Sequence, residues 1–185
     1  LGREMRGWLV WGHINETVNA FKKTMPLIVD LRNQALRERH WAQLIEHIGE
    51  SFDPTSTDFK LVSIVRLGLH LHSEFIAELS TNASKELAIE GGINKIAEAW
   101  RELPLDLGPY KATFRLKSTE EVFQALEDNV VSLSTMKGSK YFTVFEKPIT
   151  HWEKTLGRIS ETIEKVQIVQ KNWMYLENIF IGSED

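Results

Sequence analysis

Histidines, paired acids and glycine spacings are the places where this chain could do chemistry. Zinc asks for three or four converging ligands. His70 and His72 stand two apart, so on a helix their imidazoles point in different directions, and Glu74 or His47 would have to complete a shell. A surface or interface role suits them better than a metal site. His40 and His151 each neighbour a tryptophan and read as partly buried helix residues. A phosphate-binding loop needs amides wrapped around the phosphates, followed by a lysine and a hydroxyl. Gly2 and Gly7 have that spacing, but Trp8 and Leu9 follow them. Gly91-Gly92 lacks the preceding strand of a dinucleotide turn. The acidic pairs Glu120-Glu121 and Glu127-Asp128 suit helix capping and solvation rather than proton transfer. A Ser-His-Asp or Cys-His arrangement is not recognisable from spacing. The expectation is therefore no catalytic, cofactor-binding or metal residue.

Composition narrows the partners. The 185 residues carry 22 basic and 26 acidic side chains, a formal net charge of -4, interspersed along most segments. No cationic stripe is available for a phosphate backbone, so nucleic acid is an unexpected partner. The basic stretch Arg32 to Arg39 is interrupted by Asn33, Gln34 and Glu38 and reads as a solvated helix face. The absence of cysteine fits a reducing compartment such as the cytoplasm. No apolar run approaches the roughly 20 residues that cross a bilayer, and the opening residues lack a secretory pattern, so no membrane partner is expected. Asn15-Glu16-Thr17 and Asn82-Ala83-Ser84 match a glycosylation acceptor but sit inside helical periodicity. Opening at Leu1 and stopping at Asp185, the sequence reads as a piece of a longer chain.

The elements that would position these residues are mostly helices. Trp8, Trp11, Val18, Phe21 and Met25 step by three and four along one face until Pro26 interrupts it, and Leu27–Leu31 resumes as a short helix. Leu36, Trp41, Leu44, Ile45 and Ile48 mark a second amphipathic segment stopped by Gly49. A loop follows to Asp58, then a short segment from Phe59 to Leu67 ending at Gly68. From about Leu71 to Trp100 a long helix carries Phe75, Leu79, Ala83 and Leu87, then Ile89, Ile93 and Ile96. Gly91-Gly92 lies in its middle and is a place to kink. Around Gly108-Pro109 the spacing predicts the turn of a small β-hairpin, with Thr113 to Leu116 alternating. Ser118 and Glu121 form a capping box for a helix bearing Val122, Phe123, Leu126, Val130 and Leu133, ended by Lys137-Gly138-Ser139.

The last segment is the most regular. Phe142, Phe145, Ile149, Trp152, Leu156, Ile159, Ile163 and Val166 alternate steps of three and four, the seam of helices packed nearly side by side. Gln170 takes the next seam position and Trp173 restores the pattern. Such a helix would span roughly 50 to 60 Å. Pro148 should start or kink it. Trp41, Trp100, Trp152 and Trp173 read as helix-packing residues, whereas Trp8 and Trp11, three apart, are candidates for contact with a neighbouring segment.

Four strings in order resemble one family. Arg37-Glu38-Arg39-His40-Trp41, preceded by Pro26-Leu27-Ile28-Val29-Asp30-Leu31, looks like the opening of the second conserved N-terminal region of dynein heavy chains. Ala83-Ser84-Lys85-Glu86-Leu87-Ala88-Ile89-Glu90 with Trp100 resembles that region's long-helix motif. Leu126-Glu127-Asp128-Asn129 through Met136-Lys137 resembles its next helix. Val169-Gln170-Lys171-Asn172-Trp173-Met174-Tyr175-Leu176-Glu177-Asn178-Ile179-Phe180 resembles the segment after it. The likeness covers about Phe21 to Glu184. Phe52-Asp53-Pro54 and Asn178-Ile179-Phe180-Ile181-Gly182 look more similar to axonemal dyneins than to the cytoplasmic form. Two features depart from the family: Gly91-Gly92 stands where helix-favouring residues are common, and Pro148 enters a helix expected to run unbroken.

The resemblance implies part of the linker, a helical element that arches over an AAA+ ring and swings as ATP is turned over. The implied partners are the rest of the heavy chain with its ring, and other dynein subunits. The implied location is the cytoskeleton of a cilium or flagellum axoneme, and the ATP site would lie outside this fragment. The expected fold is mainly α, an elongated bundle of long antiparallel helices with a small β-hairpin. It spans 1–185 as one linker fragment or as two subunits, 1–102 and 103–185. Bending would concentrate at Gly91, Gly92, Gly138 and Pro148, the candidate hinges. The competing expectation is a generic helical tether or spectrin-like spacer, which would self-associate through the heptad helix.

Overall fold

The computed structural model describes residues 9–57 and 59–180, and they are mainly helical with one small sheet. The order is α1 (Leu9–Leu31), α2 (Glu38–Ile48), α3 (Leu61–Arg66), a 3-10 turn (Leu69–His72), α4 (Ser73–Glu102), β1 (Asp106–Tyr110), β2 (Thr113–Ser118), α5 (Glu120–Lys137) and α6 (Phe142–Phe180). Contacts group the chain into two compact units, Leu1–Ala88 and Ile89–Asp185, and the division falls inside α4.

The first unit is closed by Leu27, Leu44, Ile64, Leu69, Ile76 and Leu79, all buried. Trp41 meets Phe52 and Phe59 edge-on, with centroids 6.4 and 6.5 Å away, and those two rings stack at 5.3 Å. This aromatic group fixes the loop after α2 against the helices. Gly49 ends α2 in the left-handed conformation (φ 77°), its N–H donating to Ile45 O at 2.9 Å; a side chain there would be strained.

Pro26 does not interrupt α1, which continues to Leu31. The proline lacks the N–H that would donate to Lys22, yet it is exposed, and the buried neighbours Thr24 and Leu27 hold the turn in place. Packing here outweighs a broken ladder bond. Pro148 likewise lies within α6, six residues beyond Phe142, and the helix starts before it. Ile149, fully buried, anchors the turn that follows.

The second unit is built on Ile89, Ile93 and Ile96 of α4, Val122, Leu126 and Leu133 of α5, and Ile149, Leu156 and Ile163 of α6. Lys137 at the end of α5 reaches Glu153 at 3.0 Å, while Thr119 before its start meets Gln167 at 2.6 Å. The two helices therefore run antiparallel. Each large apolar side chain in this seam contributes about 1.5 to 3 kcal/mol of burial.

The hairpin exists, but its turn is Lys111-Ala112, not Gly108-Pro109, which lie within β1. Tyr110 pairs with Thr113 and Pro109 with Phe114, so the loop holds two residues and Lys111 takes a positive φ of 51°. The Tyr110 and Thr113 pair flanking a two-residue loop exchanges the ladder bonds. Pro109 then falls at a non-hydrogen-bonded position, where a missing N–H costs nothing. The capping box expected from Ser118 and Glu121 does not form at α5, whose cap residue is Thr119. Ser118 Oγ accepts from Glu120 N–H at 3.3 Å, and the cap residue Thr119 instead accepts on its hydroxyl from Gln167 Nε2.

Candidate functional site

The sequence places its polar chemistry in two buried junctions, one in each unit. In the first, the start of α2 is held against α4. Arg39 Nε donates to Glu86 Oε2 at 2.8 Å, and its Nη2 contacts the same oxygen. Glu86 is only 8% exposed, so its charge depends on these partners. His40, 2% exposed, accepts on Nδ1 from the Arg37 N–H at 3.0 Å. The neutral ring thus carries its proton on Nε2, which lies 3.1 Å from Glu86 Oε2 without the alignment of a hydrogen bond. Burial holds the imidazole below its ordinary pKa; Glu86 pulls it upward, and Arg39 and Arg37 push it down.

Asn33 makes a second tie between the turn after α1 and α4. Its Nδ2 donates to Ser80 O (3.0 Å), Ser80 Oγ (2.9 Å) and Ser84 Oγ (2.8 Å), and its Oδ1 accepts from Ala35 N–H (2.9 Å). One amide therefore shapes the turn and fastens it to the neighbouring helix.

The junction in the second unit fastens the hairpin to α6. Gln170 donates from Nε2 to Leu116 O at 3.0 Å and accepts on Oε1 from Leu116 N–H at 2.8 Å, copying the bonding of a neighbouring strand. Glu177, 7% exposed, accepts from Tyr110 Oη at 2.7 Å and from Lys111 Nζ at 2.9 Å. The Lys111 and Tyr110 hydrogen bonds hold its carboxyl below the usual range, while Glu177 raises both the Lys111 ammonium and the Tyr110 phenol.

The candidate hinge residues occupy distinct settings. Gly91 and Gly92 lie in an uninterrupted α4. A methyl group on Gly91 would meet open space, whereas one on Gly92 would overlap Met136 Cε of α5, so Gly92 is a point of close approach between helices. Gly138 caps α5 with ordinary right-handed angles (φ -72°, ψ -8°) and donates to Ser134 O at 3.1 Å. Pro148 sits in the first third of α6. Trp11 is half-buried on α1, and Trp8 lies outside the described residues.

The histidines do not gather ligands. His47 stacks on Phe75 at 3.9 Å and meets His72 edge-on at 5.0 Å, and His70 sits in the 3-10 turn. No group of three or more potential ligands is assembled among the described residues. Trp41, Trp100 and Trp152 pack against the two cores as expected. Trp173 does not: it is more than half exposed, because α5 has ended before α6 reaches it.

All 185 residues match the family described as dynein heavy chain, N-terminal region 2. The chain belongs to the dynein heavy chain family. It is 63% identical over its whole length to the Dynein-1-beta heavy chain of the flagellar inner arm I1 complex of Chlamydomonas reinhardtii. Over 97% of its length it is 53% identical to Dynein axonemal heavy chain 2 of Mus musculus, and over its whole length 39% identical to Dynein axonemal heavy chain 10 of Homo sapiens. The axonemal cast read from the sequence agrees with these relatives. The chain spans about 4% of the length of each.

The dynein strings acquire a physical meaning in this light. The first, Arg37 to Trp41, and the second, Ala83 to Glu90, meet through Arg39, His40 and Glu86. The fourth, Val169 to Phe180, carries Gln170 and Glu177, the two groups that grip the hairpin. Sequence reasoning marked Gln170 as a polar intruder in an apolar seam, and that was the available signal. For Glu86 and Glu177 there was none, because an isolated acid on a charged helix looks like any solvated one.

Proposed function

We propose that this fragment is a force-transmitting part of the linker of an axonemal dynein heavy chain, moving relative to an AAA+ ring that lies elsewhere in the same polypeptide. The observation that supports it is the α5 and α6 seam. Leu133, Ile149 and Leu156 are completely buried there, and bending α6 would require these interlocked side chains to slide. With 39 residues, α6 extends roughly 58 Å at 1.5 Å per residue.

The heavy chain hydrolyses ATP at its ring and works on microtubules in the axoneme of a cilium or flagellum; this segment binds no nucleotide or metal itself. Its partners are the rest of the heavy chain and other dynein subunits. Stiffness in the seam leaves Gly91, Gly92, Gly138 and Pro148 as the places for angular change. The hairpin junction at Gln170 and Glu177 keeps the end of α6 from working loose.

Loosening the seam in the intact heavy chain tests the proposal. Along a graded series, Ile163→Val and then Leu156→Ala, microtubule gliding velocity should fall progressively while basal ATP turnover is kept. Unchanged gliding, together with a Leu156→Ala destabilisation of about 2 to 5 kcal/mol, would refute a mechanical role. A tethering scaffold instead predicts that the 185-residue fragment forms dimers in sedimentation, where the lever reading predicts monomers.

A further inference from the structure

The final third of α6 has its polarity reversed. Up to Ile163 its apolar seam is closed by α5, which begins at Glu120, beside Gln167. From there α6 runs on for roughly 20 Å to Phe180. Along this stretch the inward-facing groups are polar: Gln167 meets Thr119 at the start of α5, and Gln170 and Glu177 meet the hairpin. The apolar residues Val166, Val169, Trp173, Leu176 and Phe180 keep the alternating three- and four-residue steps but face outward. Val169 is 66% exposed, Trp173 53% and Phe180 70%. Phe114 of β2, 75% exposed, stands beside them and helps line a groove of about 470 Å³ with Val166, Val169 and Trp173. Single exposed apolar residues are ordinary, but a periodic apolar strip beside a groove marks a contact surface.

We propose that this strip is the docking site of an apolar helix from another part of the same heavy chain, outside residues 1–185. Three observations favour that occupant. The alternating steps are matched by a helix laid nearly parallel, its side chains filling the spaces between Val169, Trp173 and Leu176. The strip also lies one residue round the helix from the line of Ile163, Gln170 and Glu177 that α5 and the hairpin cover, so a second helix would lie alongside them rather than in their place. Lastly, the chain spans 4% of its relatives' length, and covalently attached segments compete for the groove at an effective concentration no separate subunit matches. The inference rests on family membership and does not require the lever reading.

Site-specific photo-crosslinking in the intact heavy chain tests it. Benzoylphenylalanine replaces Trp173 on the strip or Tyr175 off it, and crosslinked peptides are identified by mass spectrometry. The expected product at Trp173 joins a peptide of the same heavy-chain molecule from outside the fragment, with a yield severalfold above that at Tyr175. The same label at Val169 repeats the test should the Trp173 substitution fail to fold. Absence of a product at both strip positions, equal yield on and off the strip, or capture of a second copy or a different subunit would overturn the proposal. Unchanged gliding in the seam variants with an intact crosslink would leave this groove standing while removing the lever.

Discussion

Replacing Glu86 by Ala leaves Arg39 and the buried His40 facing an empty place, and we expect a loss of about 1 to 3 kcal/mol in denaturant unfolding, since hydrogen bonds to charged groups carry that much. The pH dependence of the same junction has a definite sign. Burial depresses the folded-state pKa of His40 below its ordinary 6.5. The unfolded chain therefore binds the proton more readily, and the stability contribution is present above about pH 6.5 and lost as pH falls through the folded value. Protonation also removes the Nδ1 acceptor used by the Arg37 N–H. His40→Asn, whose side-chain oxygen can accept that bond without titrating, should flatten the fall in unfolding midpoint between pH 7 and 5. A slope equal to that of the unaltered chain would assign the effect elsewhere. The glycines of α4 also separate at this scale. Gly91→Ala should stabilise by about 0.5 to 1 kcal/mol, because helix propensity rises and the space is open. Gly92→Ala must displace Met136 and should gain less or lose stability, and adding Met136→Ala should recover the propensity gain. Equal midpoints for Gly91→Ala and Gly92→Ala would show that Met136 does not rest on the helix there.

At the scale of elements, the hairpin depends on α6 for its position. A two-stranded hairpin is marginal alone in water, and here Gln170 supplies it with the bonds of a third strand. Gln170→Leu keeps the apolar seam but removes both bonds, so amide exchange across Thr113–Ser118 should speed up while α5 stays protected. Unchanged exchange would mean that Tyr110, Lys111 and Glu177 suffice. Much of this architecture was legible in the residues. The three- and four-residue steps gave α2, α4, α5 and α6 nearly to their ends, and Gly49 and Lys137-Gly138-Ser139 gave their stops. Pro26 misled because tertiary burial of Leu27 outweighs a missing ladder bond, and Pro148 misled only as a helix start, since α6 begins at Phe142. Gly108-Pro109 misled because turn chemistry is a local preference, whereas the register is set by Tyr110 facing Thr113 and by the grip of α6 on Leu116. The two buried junctions were invisible because their partners lie 47 to 67 residues apart.

For the whole molecule, on the proposed lever function, apolar seams keep this dynein heavy-chain segment rigid where it carries load. Polar junctions at Glu86 and Glu177 fix its ends and turns. Rigidity of α6 is the claim on which the rest depends, and the distance between spin labels at Lys154 and Tyr175 in the intact heavy chain measures it directly. Both sites are exposed and lie beyond Pro148. A straight helix places their backbones roughly 32 Å apart. We predict a single narrow distance distribution near that value, the same with and without ATP. A broad distribution, or one that shortens during turnover, would contradict the account.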